Sequence, residues 1–71
     1  MTPEQAREEV ESIKEQGRED PESAHWREDA LHERFIEEIA NGFYLGNEQQ
    51  CIEVAKEILK TRDLDFPRRC A

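Results

Sequence analysis

The sequence has few of the residues on which several classes of protein depend. It contains three glycines, too few and too scattered to form a phosphate-binding loop. It has no run of about 18 apolar residues, so we expect no transmembrane helix. We also find none of the ordered charged, apolar and small-residue segments of a secretory signal, and we expect a cytoplasmic protein. The two cysteines, Cys51 and Cys70, should then be reduced thiols.

Basic residues are also scarce, with 10 Lys and Arg against 18 Asp and Glu and a net charge of −8. This balance argues against direct binding of nucleic acid, which uses clustered Lys and Arg. Residues 1–42 carry 13 acidic and 5 basic side chains, whereas residues 43–71 carry 5 of each. The excess negative charge is therefore confined to the first part of the chain. It is either a solvated surface or an acidic face that docks on a basic partner protein.

Apolar residues make up only 35% of the chain, and the mean hydropathy is −1.02, which approaches the composition of disordered proteins. Their spacing nevertheless favours folding, because they recur at helical intervals between clear stop signals. We expect one domain covering residues 1–71. Below roughly 70–80 residues one core supplies only about 3–5 kcal/mol. This argues against a large enclosed active site and favours self-association as a homodimer.

Capping signals divide the chain into three predicted helices, over about residues 3–16, 21–40 and 47–61. Thr2 is the expected N-cap of the first helix, and Gly17 its stop. Asp20 and Asn47 are the expected N-caps of the second and third. Apolar residues define one broad side of the second helix (Ala24, Leu31, Phe35, Ile36 and Ile39). They define one side of the third as well (Cys51, Ile52, Val54, Ala55, Ile58 and Leu59).

These elements predict an all-α fold with no strands. The second and third helices should form an antiparallel hairpin, and the first should pack across it. The apolar connector Phe43–Gly46 should fold back over the helix ends. Residues 63–71 are predicted to form a short extended tail, held against the helices by Leu64 and Phe66, because Pro67 prevents further helix.

Four ionisable residues interrupt the apolar side of the second helix: His25, Glu28, Asp29 and His32. Their spacings of three and four residues place the side chains within reach of one another. A carboxylate on an apolar face is unfavourable unless it is paired. The cluster therefore is a network of structural ion pairs, a surface that binds a partner or small ligand, or a divalent-metal site.

In the metal interpretation the ligands are His25, Asp29 and His32, since two imidazoles and a carboxylate suit zinc and similar ions. The spacing is not that of a metalloenzyme signature. No serine or cysteine has a histidine at a spacing diagnostic of nucleophilic catalysis. We therefore predict no catalytic residues and no cofactor, with a divalent metal as the one alternative, and the sequence favours a protein that is not an enzyme.

Trp26 lies on the far side of the second helix from Leu31 and Phe35. It is either covered by the first helix or exposed as an anchor for an interface, a role in which Trp is enriched.

The stretch Asp20–Leu31, which contains Ala-His-Trp-Arg-Glu-Asp-Ala-Leu, and the closing Asp65–Ala71 resemble a group of short uncharacterised bacterial and phage-borne proteins. Those proteins share an Ala-His-x-x-Glu-Asp-x-Leu helix and a short C-terminal tail. They often carry an aromatic residue near the position of Arg69, which this chain lacks. The resemblance covers about a third of the chain. It implies a small soluble cytoplasmic protein and supplies no reaction.

The sequence thus predicts a small acidic protein-binding module, in the manner of a phage or mobile-element accessory factor that acts on a host protein. The acidic helices would attract the partner, and Trp26 would contact it. The alternative is a small ligand- or divalent-metal-binding module that uses the His/Glu/Asp cluster of the second helix.

Overall fold

A computed structural model describes residues 1–64. It contains three α-helices, α1 (Pro3–Glu19), α2 (Pro21–Ala40) and α3 (Glu48–Leu59), followed by the 3₁₀ helix Lys60–Asp63. No strand occurs in this range, so the predicted all-α class with three helices is confirmed. No helix within residues 1–64 has an apolar stretch long enough to span a bilayer.

The helix starts follow from local capping. The Thr2 hydroxyl accepts from the Gln5 amide at 3.1 Å, and the Gln5 side chain accepts from the Thr2 amide at 3.0 Å, which completes a capping box. Asp20 accepts from the hydroxyl and the amide of Ser23, and these bonds hold the pKa of its carboxyl below the usual value. The Asp20 amide also donates to the Gln16 carbonyl at 2.7 Å. One residue therefore closes α1 and opens α2.

Two predicted boundaries need correction. Helix α1 continues through Gly17 to Glu19, because Gly17 keeps helical geometry and is buried. A glycine stop requires the left-handed conformation at that position, and in this chain only Gly42 and Gly46 among the described glycines adopt it, with φ of 77° and 75°. Helix α3 ends at Leu59, where the backbone tightens into the 3₁₀ helix.

The packing centres on α1, which contacts both α2 and α3, whereas α2 and α3 meet over a small area only. The first helix is thus the middle element of the fold rather than a helix laid across an α2–α3 hairpin. Ala6 and Ile13 of α1, Ala24 of α2 and Val54 of α3 are fully buried. The Met1 side chain completes this core.

The connector between α2 and α3 folds back as predicted, but through one side chain. Tyr44 is buried, and its ring meets the rings of Phe35 and Phe43 edge-to-face at centroid distances of 5.7 and 4.9 Å. Phe43 and Leu45 remain exposed. The connector therefore closes one end of the core and presents two apolar groups to solvent.

Beyond the 3₁₀ helix, Leu64 packs against the core, as the tail prediction required. The remainder of the predicted tail, with Phe66, lies outside the described residues, and so does Cys70. Cys51 is a half-buried free thiol on α3.

Candidate functional site

The N-terminal half of α2 brings three of the four predicted ionisable residues together. The His25 imidazole lies between two carboxylates, with Nδ1 3.8 Å from Glu28 Oε1 and Nε2 3.6 Å from Asp29 Oδ2. The Glu28 side chain is only 7% exposed, whereas that of Asp29 is 68% exposed. One helical turn thus links a buried carboxylate to a surface carboxylate through a half-buried imidazole.

The two ring nitrogens of His25 differ in environment. Nδ1 is buried and has no hydrogen-bond partner among residues 1–64. Nε2 lies on the side of the exposed Asp29 carboxylate. When the imidazole is protonated, its charge sits between Glu28 and Asp29, so the group can offset negative charge on this part of α2.

His32 belongs to a different contact. Its Nε2 lies 3.0 Å from the hydroxyl oxygen of Thr61, which itself donates to the Ile58 carbonyl at 2.9 Å. A hydroxyl has one proton to give. With that proton given to Ile58, His32 Nε2 is assigned as the donor, which corresponds to a protonated Nε2, and the contact ties α2 to the 3₁₀ helix.

The predicted metal ligands are consequently not gathered at one point. Within residues 1–64 no three His, Cys, Asp or Glu side chains are placed so that they could hold a metal ion. His25 faces Glu28 and Asp29, while His32 is engaged with Thr61. Within residues 1–64 the predicted cluster therefore divides into the group of His25, Glu28 and Asp29 and a separate contact of His32 with Thr61.

Replacing Thr61 with valine should test the contact of His32. The change keeps the shape of a fully buried side chain and removes its hydroxyl. It leaves the Ile58 carbonyl and the His32 N–H without this partner, which typically costs about 1–3 kcal/mol. Denaturant unfolding measures that loss, and a nitrogen-15 NMR spectrum of the imidazoles should show His32 of the parent protein as the Nε2–H tautomer. Unchanged stability together with an Nδ1–H tautomer in the parent would contradict the assignment.

A second polar network was not predicted from the sequence. The Met1 ammonium donates to Glu38 Oε1 at 2.8 Å and to the Tyr44 hydroxyl at 3.0 Å. Tyr44 donates to the same Glu38 oxygen at 2.6 Å. Gln50 of α3 donates to the Met1 carbonyl at 2.9 Å. The network joins Met1 to α2, the connector and α3. These residues are far apart in the sequence, so no local spacing predicts their contacts.

The ionisation of this network follows from its contacts. Burial works to raise the pKa of Glu38, but hydrogen bonds from the Met1 ammonium and Tyr44, with the charges of Met1 and Arg34, hold it below the usual value. Burial, reinforced by the bond to Glu38, raises the pKa of Tyr44 far above its ordinary value. At neutral pH Glu38 is therefore ionised and Tyr44 keeps its proton.

Trp26 is 66% exposed, so the expectation that α1 covers it is wrong. The apolar sides of α2 and α3 are also less covered than the sequence predicts. In the part of the chain that the structure describes, six further large apolar side chains are exposed: Ile36, Ile39, Phe43, Leu45, Ile52 and Leu59. The small contact between α2 and α3 explains this result, because the flanks of these helices have no neighbouring helix to cover them.

The arginines of α1 and α2 are all engaged with glutamates. Arg7 pairs with Glu57, Arg27 with Glu9, Arg18 with Glu15 and Arg34 with Glu38, at 3.3–3.5 Å. The unpaired excess on these two helices is therefore acidic.

Comparison of the chain with protein-family models, with curated proteins and with solved structures gave no match.

Proposed function

We propose that the protein is a non-enzymatic binding module that acts by contact with a partner protein of net positive charge. The observation that carries the proposal is the exposure of its apolar side chains. Among residues 1–64, seven large hydrophobic residues are exposed, against nine hydrophobic residues in the core. Isolated exposed hydrophobics are common in monomeric proteins, but a cluster of them is typical of interaction sites.

The charge of the surface selects the kind of partner. The chain carries a net charge of −8, and all of it belongs to residues 1–42. Such a field accelerates the approach of a basic protein and repels an acidic one. The apolar groups then supply the affinity that exposed charges in water do not.

Of the residues predicted for binding, two are open to a partner. Trp26 is largely exposed, and so is the Asp29 carboxylate one turn further along α2. Glu28 is buried and lies beside His25, and His32 contacts Thr61 of the 3₁₀ helix, so these side chains are engaged in contacts within the protein.

Selection from a display library of random 18-residue peptides tests the proposal with no partner chosen in advance. We expect the enriched peptides to carry net positive charge and several apolar residues, and to be released by 0.5 M salt. A library biased to acidic peptides of the same apolar content serves as the control. The absence of enrichment, or enrichment of the acidic library, would refute a binding module of this kind.

A further inference from the structure

Four of the exposed apolar side chains lie together at the C-terminal end of α2 and in the connector that follows it. We call Ile36, Ile39, Phe43 and Leu45 the apolar patch. Their exposed fractions are 64%, 48%, 57% and 86%. Trp26 is ten residues away along α2, about 15 Å at 1.5 Å per residue, and is therefore separate from it.

Local backbone contacts keep the residues of the patch at one end of α2. Ile36 and Ile39 are neighbours on the helix surface at a spacing of three residues. The Phe43 amide donates to the Glu38 carbonyl at 3.0 Å and the Gly42 amide to the Ile39 carbonyl at 3.1 Å, so the chain turns over the end of α2. Leu45 folds back on Gly42, where an added Cβ would lie 3.1 Å from Leu45 Cδ1.

The spacing of the patch suits an α-helical ligand. Ile36 and Ile39 occupy positions i and i+3 near the end of α2, and Phe43 follows the turn at Gly42, where a φ of 77° ends the helical path. A row of this kind is the apolar face that one helix presents to another.

The charges around the patch indicate the sign of that ligand. Asp29 and Glu33 precede Ile36 by seven and three residues, which places them on its side of α2. Both are exposed, and so is Glu37. Arg34, the basic residue of this stretch, is already paired with Glu38 at 3.5 Å. A second copy of the chain would add further carboxylates to the contact, whereas a basic ligand would neutralise those already there.

From this geometry we infer that the apolar patch is the docking surface for a basic amphipathic helix of a partner protein. The inference rests on the proposed function and adds the place of contact and the form of the ligand. Leucine or isoleucine side chains of the ligand would cover the patch, and its lysines or arginines would face Asp29, Glu33 and Glu37.

The probe for the test is a synthetic 18-residue helix of leucine and lysine, measured by calorimetry against the full chain. The double variant Ile36→Ser with Phe43→Ser should bind it at least about tenfold more weakly, the scale on which truncated interface anchors act. The matched variant, Ile52→Ser with Leu59→Ser, removes exposed apolar groups of α3 and should bind like the parent. Leu45→Ser, at the most exposed position, is a second patch variant that should bind the probe more weakly and fold like the parent. Circular dichroism checks the folding of every variant.

The outcomes separate this inference from the proposed function. Equal binding by the parent and both patch variants would place the ligand elsewhere and overturn the inference, even if the peptide selection succeeds. A failed selection would instead remove the proposed function.

A native mass spectrum that shows a dimer lost in the patch variants would assign the patch to a second copy. Tighter peptide binding by Phe66→Ser would assign it to the chain's own tail. Either result would overturn the inference.

Discussion

Ile13→Ala is expected to unfold the protein at room temperature. Ile13 is fully buried in α1, the helix that contacts both of the others. Truncating a buried isoleucine to alanine costs about 2–5 kcal/mol through lost burial and the cavity that remains. A core of this size supplies only about 3–5 kcal/mol in total. Circular dichroism should show most of the helical signal lost.

Ile52→Ala is the matched control for this prediction. Ile52 lies on α3 and is 48% exposed, so the same truncation removes much less buried surface. We expect a cooperative transition close to that of the parent protein. If both variants melted like the parent, the helices would not depend on the core assigned to them.

Glu38→Gln should destabilise the protein nearly as strongly. The substitution keeps the shape of the side chain and removes the charge that faces the ammonium of the buried residue Met1. Breaking a buried ion pair on one side costs about 3–5 kcal/mol, because the remaining charge is left without compensation. Urea unfolding at pH 7 measures the loss. Glu37→Gln, on the exposed neighbouring residue, should stay within about 0.5 kcal/mol of the parent.

The difference in free energy of unfolding between the parent and Glu38→Gln should depend on pH, with a definite sign. The pKa of Glu38 is held below its usual value in the folded protein. The stabilisation of the folded protein by ionised Glu38 is therefore complete above the pKa of a glutamate in the unfolded chain, about 4.3. It is lost as the pH falls through the lower folded value. The gap in stability between parent and Glu38→Gln should be widest at neutral pH and should narrow below about pH 4. A gap that stays constant down to pH 3 would show that the charge of Glu38 is not its cause.

The sequence predicted the elements of the fold well because their limits are set locally. The side chains of Thr2, Asp20 and Asn47 each accept from the amide three residues later, and each helix begins there. The bounds of α2 agree with the prediction at both ends. Local spacing also indicated the pair of His25 and Glu28, because residues three apart on a helix are neighbours.

What could not be predicted are contacts between residues far apart in the chain. A helical period identifies an apolar side but not the element that covers it, so the pattern does not reveal that Ile36 and Ile39 stay exposed. The contact of His32 with Thr61 and that of Met1 with Glu38 join residues separated by 29 and 37 positions. Such pairings are decided by the packing of α1 against its two neighbours, which no local pattern contains.

The most direct test of the account is a methyl spectrum of the isoleucine-labelled protein during titration with the leucine–lysine helix. The chain has five isoleucines: Ile13, Ile36, Ile39, Ile52 and Ile58. Ile36 and Ile39 lie in the apolar patch, Ile52 is exposed elsewhere, and the other two are buried. The account predicts that the methyl signals of Ile36 and Ile39 shift together while that of Ile52 stays in place. Shifts at Ile52 without shifts at Ile36 and Ile39, or no shifts at all, would contradict it.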